Sequence, residues 1–134
     1  MGVKSQLETD YDFEIVSEFF NHFDLSVESM ELLITQLDKV EYYGRNVNEL
    51  FRIFHNIKSA TAYLHIRVMN KFMTDVEELL EVMRAKVGPA DDTVIDWLLL
   101  CSDQMVLWND NMRLDEFLVA MPDALFIIPK VEYS

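Results

Sequence analysis

Helix-breaking residues are scarce in this chain and widely spaced. Only 3 Gly and 3 Pro occur among 134 residues. A sandwich or barrel rich in tight turns needs such punctuation about every ten residues, so the composition argues against that architecture. Gly44, the pair Gly88-Pro89, Pro122 and Pro129 divide the chain into helix-length pieces. Between them apolar residues recur three and four positions apart, the spacing that puts them on one face of a helix.

The periodicity predicts a first short helix after Asp10 or Asp12, with Phe13, Val16, Phe19, Phe20 and Phe23 inward. Ser26 is expected to cap a second, which carries Met30, Leu33, Leu37 and Val40 and stops near Gly44. Asn46 and Glu49 have the spacing of a capping box. They predict a third helix with Leu50, Ile53, Phe54, Ile57, Ala60, Thr61 and Leu64 on its apolar side. A fourth is expected from about Val68 to Val87, with Phe72, Val76, Leu79, Leu80 and Met83 inward. Asp91 or Asp92 opens a fifth, bearing Val94, Trp97, Leu98, Cys101, Met105 and Trp108. The economical architecture is an all-α antiparallel four-helix bundle with an additional N-terminal helix and a short C-terminal tail. One domain spans residues 1–134, its core about 12–112. Within the tail, residues 113–121 read as one more short helix, and Ala124 to Ile128 as an extended apolar segment. That segment either packs along the bundle or belongs to a partner surface.

Composition narrows the function. The single Cys101 excludes an internal disulfide and a multi-cysteine zinc site, and suits a reducing cytoplasm. No apolar run approaches the ~20 residues that cross a bilayer, and residues 1–12 lack the pattern of a signal peptide. The net charge of −13 repels phosphate backbones, so neither nucleic acid nor membrane is an expected partner. The charge is uneven: residues 1–50 hold 11 acids and 3 bases, 91–134 hold 9 and 2, but 51–90 hold 4 acids and 6 bases. Anion chemistry is expected in the middle third.

There the third helix presents a face with an unusual set of side chains. At about 100° per residue, Ala62 and Ile66 fall within about 20° of His55. Phe51, Arg52, Lys58 and Ser59 fall within about 60°, and the apolar positions cluster opposite. His55 therefore points away from the core, with small residues one turn on that let another surface approach. His22, among Phe residues, is expected to be packed. The three histidines share no metal-site spacing, and no Gly-rich phosphate loop is present.

The string from Glu49 to Arg84 resembles the histidine-containing phosphotransfer (HPt) domain family, most closely the version at the N-terminus of bacterial chemotaxis kinases. His55, Lys58 and the small Ser59, followed by Glu77, Leu79-Leu80-Glu81 and Arg84, meet that family's pattern without a gap. Three positions depart from it. Ser59 stands where Gly is commonest, His65 replaces a Gly at the helix end, and Thr74 occupies a place where chemotaxis kinases often carry a second histidine.

The resemblance implies that His55 carries a phosphoryl group on Nε2, that Glu77 orients and activates the imidazole, and that Lys58 offsets the phosphoryl charge. Ser59 and Ala62 would admit a receiver domain, with Arg52, Phe51 and Ile66 completing the docking surface. The implied partners are a histidine kinase catalytic domain and a response-regulator receiver domain. No cofactor is expected on this chain, Mg²⁺ belonging to the receiver. The chain would then be a monomeric phosphoryl carrier without its own ATP site, not an enzyme, either as a separate protein or as one domain of a larger histidine kinase. A second reading stays open: a helical adaptor or scaffold that keeps the bundle but does not use the histidine.

Overall fold

The computed structural model describes residues 1–134, and every regular element is helical. Five α-helices run in order: α1 (Val3–Asp10), α2 (Phe13–Thr35), α3 (Val40–Tyr63), α4 (Arg67–Arg84) and α5 (Asp92–Arg113). Single 3₁₀ turns occupy Gln36–Asp38 and Asp123–Phe126. Helices α2 to α5 form the four-helix bundle. The most extensive packing pairs α3 with α4 and α2 with α5, and α2 also lies against α3. The remaining side, between α4 and α5, is bridged by large rings: Phe72 meets Trp108 edge to face at 5.1 Å, a favoured aromatic geometry.

The expected first helix and the expected second as far as Thr35 are one 23-residue helix; the chain then breaks at the 3₁₀ turn that holds Leu37, and Val40 to Gly44 belong to α3. Ser26 does not cap anything. It is buried in mid-helix, where its hydroxyl donates to the His22 carbonyl at 2.8 Å, the i−4 bond that lets serine sit inside a helix. Asn46 likewise lies within α3, which begins six residues earlier and runs through Gly44. Its buried amide donates to the Leu33 carbonyl and to Gln36 Oε1, both at 3.1 Å, and so ties α3 to the end of α2. Phe13 and Val40, expected inward, are exposed. Asp91 caps α5 as expected, accepting from the Val94 amide at 3.0 Å.

Helix α1, in a stretch that carries no strong apolar pattern, is held from the far end of the chain. Asp115 lies just beyond α5 with φ 52°. Its carboxylate accepts from the Gly2 amide at 3.1 Å, from the Ser5 amide at 2.9 Å, and from the Ser5 hydroxyl. These bonds satisfy donors that a helix start leaves open.

Residues 114–122 form no helix. The tail instead runs back along α5. Trp108 Nε1 donates to the Val119 carbonyl at 2.9 Å, Trp97 Nε1 to the Leu125 carbonyl at 3.3 Å, and the Gly88 amide to the Ser134 carbonyl at 2.9 Å. Leu125 is buried within the 3₁₀ turn, whereas Phe126 and Ile127 are exposed. The expected extended segment is therefore a turn that inserts one side chain. Tyr133 closes the arrangement by hydrogen bonding Tyr43, whose hydroxyl donates to the Met83 carbonyl, both at 2.8 Å.

Candidate functional site

The α3–α4 pair is a run of matched antiparallel contacts. Asn48 faces Arg84 at one end, His55 and Lys58 face Glu77 in the middle, and Thr61 faces Asn70 at the other. Apolar side chains seal the seam beneath, with Leu50, Phe54 and Ile57 of α3 against Phe72, Val76 and Leu80 of α4 all buried. The polar rows are thereby brought together at the rim.

At the centre of that rim the His55 side chain is 51% exposed. Glu77 is only 16% exposed and lies between two donors: its Oε2 is 3.1 Å from His55 Nδ1, and its Oε1 accepts from Lys58 Nζ at 2.9 Å. Burial acts to raise the Glu77 pKa, but the hydrogen bonds and charges of Lys58 and then His55 outweigh it. The carboxyl is held below its ordinary value. Glu77 is therefore ionised at neutral pH and acts as an acceptor only. An anionic acceptor on Nδ1 favours the tautomer with the proton there, which leaves a lone pair on Nε2, directed away from Glu77.

Other candidates fall out differently. Ser59 and Ala62 are exposed beside the imidazole, and the Ser59 hydroxyl is turned back onto the His55 carbonyl at 3.2 Å. The face thus stays small despite the added oxygen. Arg52 is exposed but engaged with Glu49 at 2.6 Å, on the side of α3 that faces α2. Phe51 is half-buried, its ring stacked against His55. Ile66 is not on this face: it is buried. The reason lies in how α3 ends. His65 takes a left-handed conformation, φ 58°, and the Ile66 amide donates to the Thr61 carbonyl at 3.0 Å while the His65 amide donates to Ala62 at 3.3 Å. That is a Schellman turn, which folds the next apolar residue back against the helix. His65 so keeps the conformation its position requires, and its Nδ1 pairs with the Tyr11 hydroxyl at 2.7 Å.

His22, expected to be packed, is exposed, in a shallow groove between α2 and α3 with Glu18 and Asn56. Asn70 was not singled out by sequence. It donates to the Lys58 carbonyl at 3.0 Å and to Thr61 Oγ1 at 3.4 Å, which fixes the helix turn that carries Lys58. No spacing within α4 marks it, because the contact depends on the register of α4 against α3. No group of three or more His, Cys, Asp or Glu side chains is placed to hold a metal ion. No helix is long and apolar enough to cross a membrane.

Comparison with known proteins gives one partial match. Over 90 residues the chain is 29% identical to the chemotaxis protein CheA of Treponema pallidum (strain Nichols). The matched part is 67% of this chain and 11% of that protein's length. No protein-family model matches the chain, and no solved structure does. The similarity relates most of the bundle to a small part of a chemotaxis protein.

Proposed function

We propose that this protein is a histidine phosphotransfer module of a two-component phosphorelay, with His55 as the phosphoryl-carrying residue. The observation that carries the reading is the Lys58–Glu77–His55 cluster. A buried-side carboxylate holds Nδ1 of a half-exposed imidazole, and an ammonium stands on the same carboxylate. The partial similarity to a chemotaxis protein supports it.

Phosphoryl transfer asks a protein mainly for positioning and charge compensation. The Nε2 lone pair attacks phosphorus in line with the leaving group, which departs with its electron pair as the N–P bond forms. The resulting ring is cationic, and Glu77 stabilises it through the Nδ1 proton. Lys58 lies within reach of the added charge of about −2 and is shared between that group and Glu77. The phosphoryl group then passes to a carboxylate of a receiver domain: the N–P bond breaks, an acyl phosphate forms, and the neutral imidazole returns. Mg²⁺ for that step belongs to the receiver. Ser59 and Ala62 provide the low ground on which the receiver's loops settle. The chain is on this reading a carrier and not an enzyme. A histidine kinase catalytic domain or a phosphorylated receiver loads it.

The test is phosphate uptake from labelled kinase or receiver partners, followed by acid treatment. Wild type should acquire an acid-labile label and His55→Gln none. Label persisting in His55→Gln refutes the site. No uptake by wild type, with partner binding indifferent to His55→Gln, returns the adaptor reading.

A further inference from the structure

Glu77 fixes one atom of the imidazole, and one hydrogen bond leaves the ring free to pivot. A second restraint is present on its other flank. The Phe51 and His55 rings are 5.9 Å apart between centroids, with their planes only 10° from parallel. Side chains on a helix lean toward its N-terminus, so the residue four positions earlier is the one a histidine ring lies over. The Arg84 guanidinium carbon in turn sits 4.3 Å from the centre of the Phe51 ring, a cation–π distance. Arg84 is itself anchored on both helices: Nε donates to Asn48 Oδ1 of α3 at 3.2 Å, and Nη1 to Glu81 Oε2 of α4 at 3.1 Å. Three planar groups thus form a chain from the anchored guanidinium to the imidazole.

We propose that Phe51 and Arg84 are positioning residues for His55: Phe51 sets the plane of the imidazole and closes its N-terminal side, and Arg84 holds Phe51 in place. With Glu77 on Nδ1 and Phe51 on the flank, Nε2 of the half-exposed ring is left without a partner, and the small Ser59 and Ala62 leave room beside it. Phe51 acts through His55 and not as an apolar docking contact. The consequence for phosphoryl transfer rests on the function proposed above; the restraint on the ring does not.

The test uses the intact chain with phosphoramidate as a small donor, which separates ring position from partner docking. In that reaction the donor's P–N bond breaks, ammonia leaves, and the Nε2–P bond forms. Arg84→Met removes the cation while keeping a side chain of similar length, and it adds or removes no aromatic ring. Its His55 ring-proton shifts should move toward those of an unstacked histidine, because Phe51 is no longer held. Its phosphorylation should slow about fivefold to tenfold, the scale of a modest misplacement of a reacting group. Phe51→Leu should slow it at least as much, and Phe51→Tyr and Arg84→Lys should return both readouts toward wild type. The Nδ1-protonated tautomer, read by long-range ¹⁵N–¹H correlation, should persist in all four variants. If wild type takes phosphate and Arg84→Met matches it in shifts and rate, the positioning role is overturned and the phosphotransfer reading stands. If the shifts respond but no donor phosphorylates wild type, the restraint stands and the phosphotransfer reading falls.

Discussion

Replacing Glu77 by glutamine should damage the site more than replacing it by alanine, the reverse of the usual order for a conservative change. Glu77 receives two donors on two oxygens, Lys58 Nζ at 2.9 Å and His55 Nδ1 at 3.1 Å. An amide of the same shape has one acceptor oxygen and one NH₂ group. The ammonium is the stronger donor and should take the oxygen, so the NH₂ group turns toward Nδ1. A donor there needs a lone pair on Nδ1, which moves the imidazole proton to Nε2 and removes the nucleophile. Losing a hydrogen bond to a charged group costs about 1.5–3 kcal/mol. With His55 half exposed, the lower end applies to Glu77→Ala, and about 1.4 kcal/mol is tenfold in rate. Glu77→Gln loses that bond and also gains a neutral one, worth about 1 kcal/mol, that favours the wrong tautomer. Phosphorylation by phosphoramidate, followed by ³¹P NMR, should therefore slow about tenfold in Glu77→Ala and roughly fiftyfold in Glu77→Gln. The ¹⁵N spectrum should show the Nε2-protonated tautomer almost alone in Glu77→Gln and a mixture of both tautomers in Glu77→Ala. A glutamine variant that reacts as fast as the alanine one, or that keeps the proton on Nδ1, would refute the reasoning.

Other consequences concern the supports of the site and the tail. Asn70→Ala removes the bonds to the Lys58 carbonyl and Thr61 Oγ1 and should cost about 1 kcal/mol, seen as a lower midpoint in urea unfolding; an unchanged midpoint removes Asn70 as a brace. The Asp115 carboxyl is held below its usual value, chiefly by the Ser5 hydroxyl and amide. Its support of α1 is thus fully present above the ordinary carboxylate pKa of about 3.9 and fades as pH falls through that value and below. The Ser5 amide resonance should titrate there in wild type and not in Asp115→Asn. Trp97→Phe deletes the donor to the Leu125 carbonyl and should speed proteolytic cleavage between Pro122 and Pro129 without unfolding the bundle. Equal cleavage rates would show that the tail is held elsewhere.

The reach of local sequence is clearest where its expectations diverged from the structure. Ser26 and Asn46 are good caps by residue type, yet both lie inside helices, because a capping preference describes a solvated helix end. A buried serine can instead bond back one turn, and a buried asparagine can reach a neighbouring chain segment. Val40 and Phe13 fit the apolar spacing but lie at helix starts, outside the packed layer. Ile66 was lost from the docking face because the angular projection continued α3 beyond its end. The turn at His65 carries the chain off the helix axis before Ile66 is reached.

The linear order of residues was enough for the helical fold class, the apolar faces of α3, α4 and α5, and the outward direction of His55. All of these follow from side-chain spacing within a single helix. Tertiary structure alone decided which oxygen of Glu77 meets Nδ1 and which meets Lys58, since that depends on the register of two antiparallel helices. It also decided the placing of Arg84 over Phe51 and the capture of α1 by Asp115. Those contacts join residues 33 and 110 or more positions apart, and no periodicity within one segment encodes the distance between two.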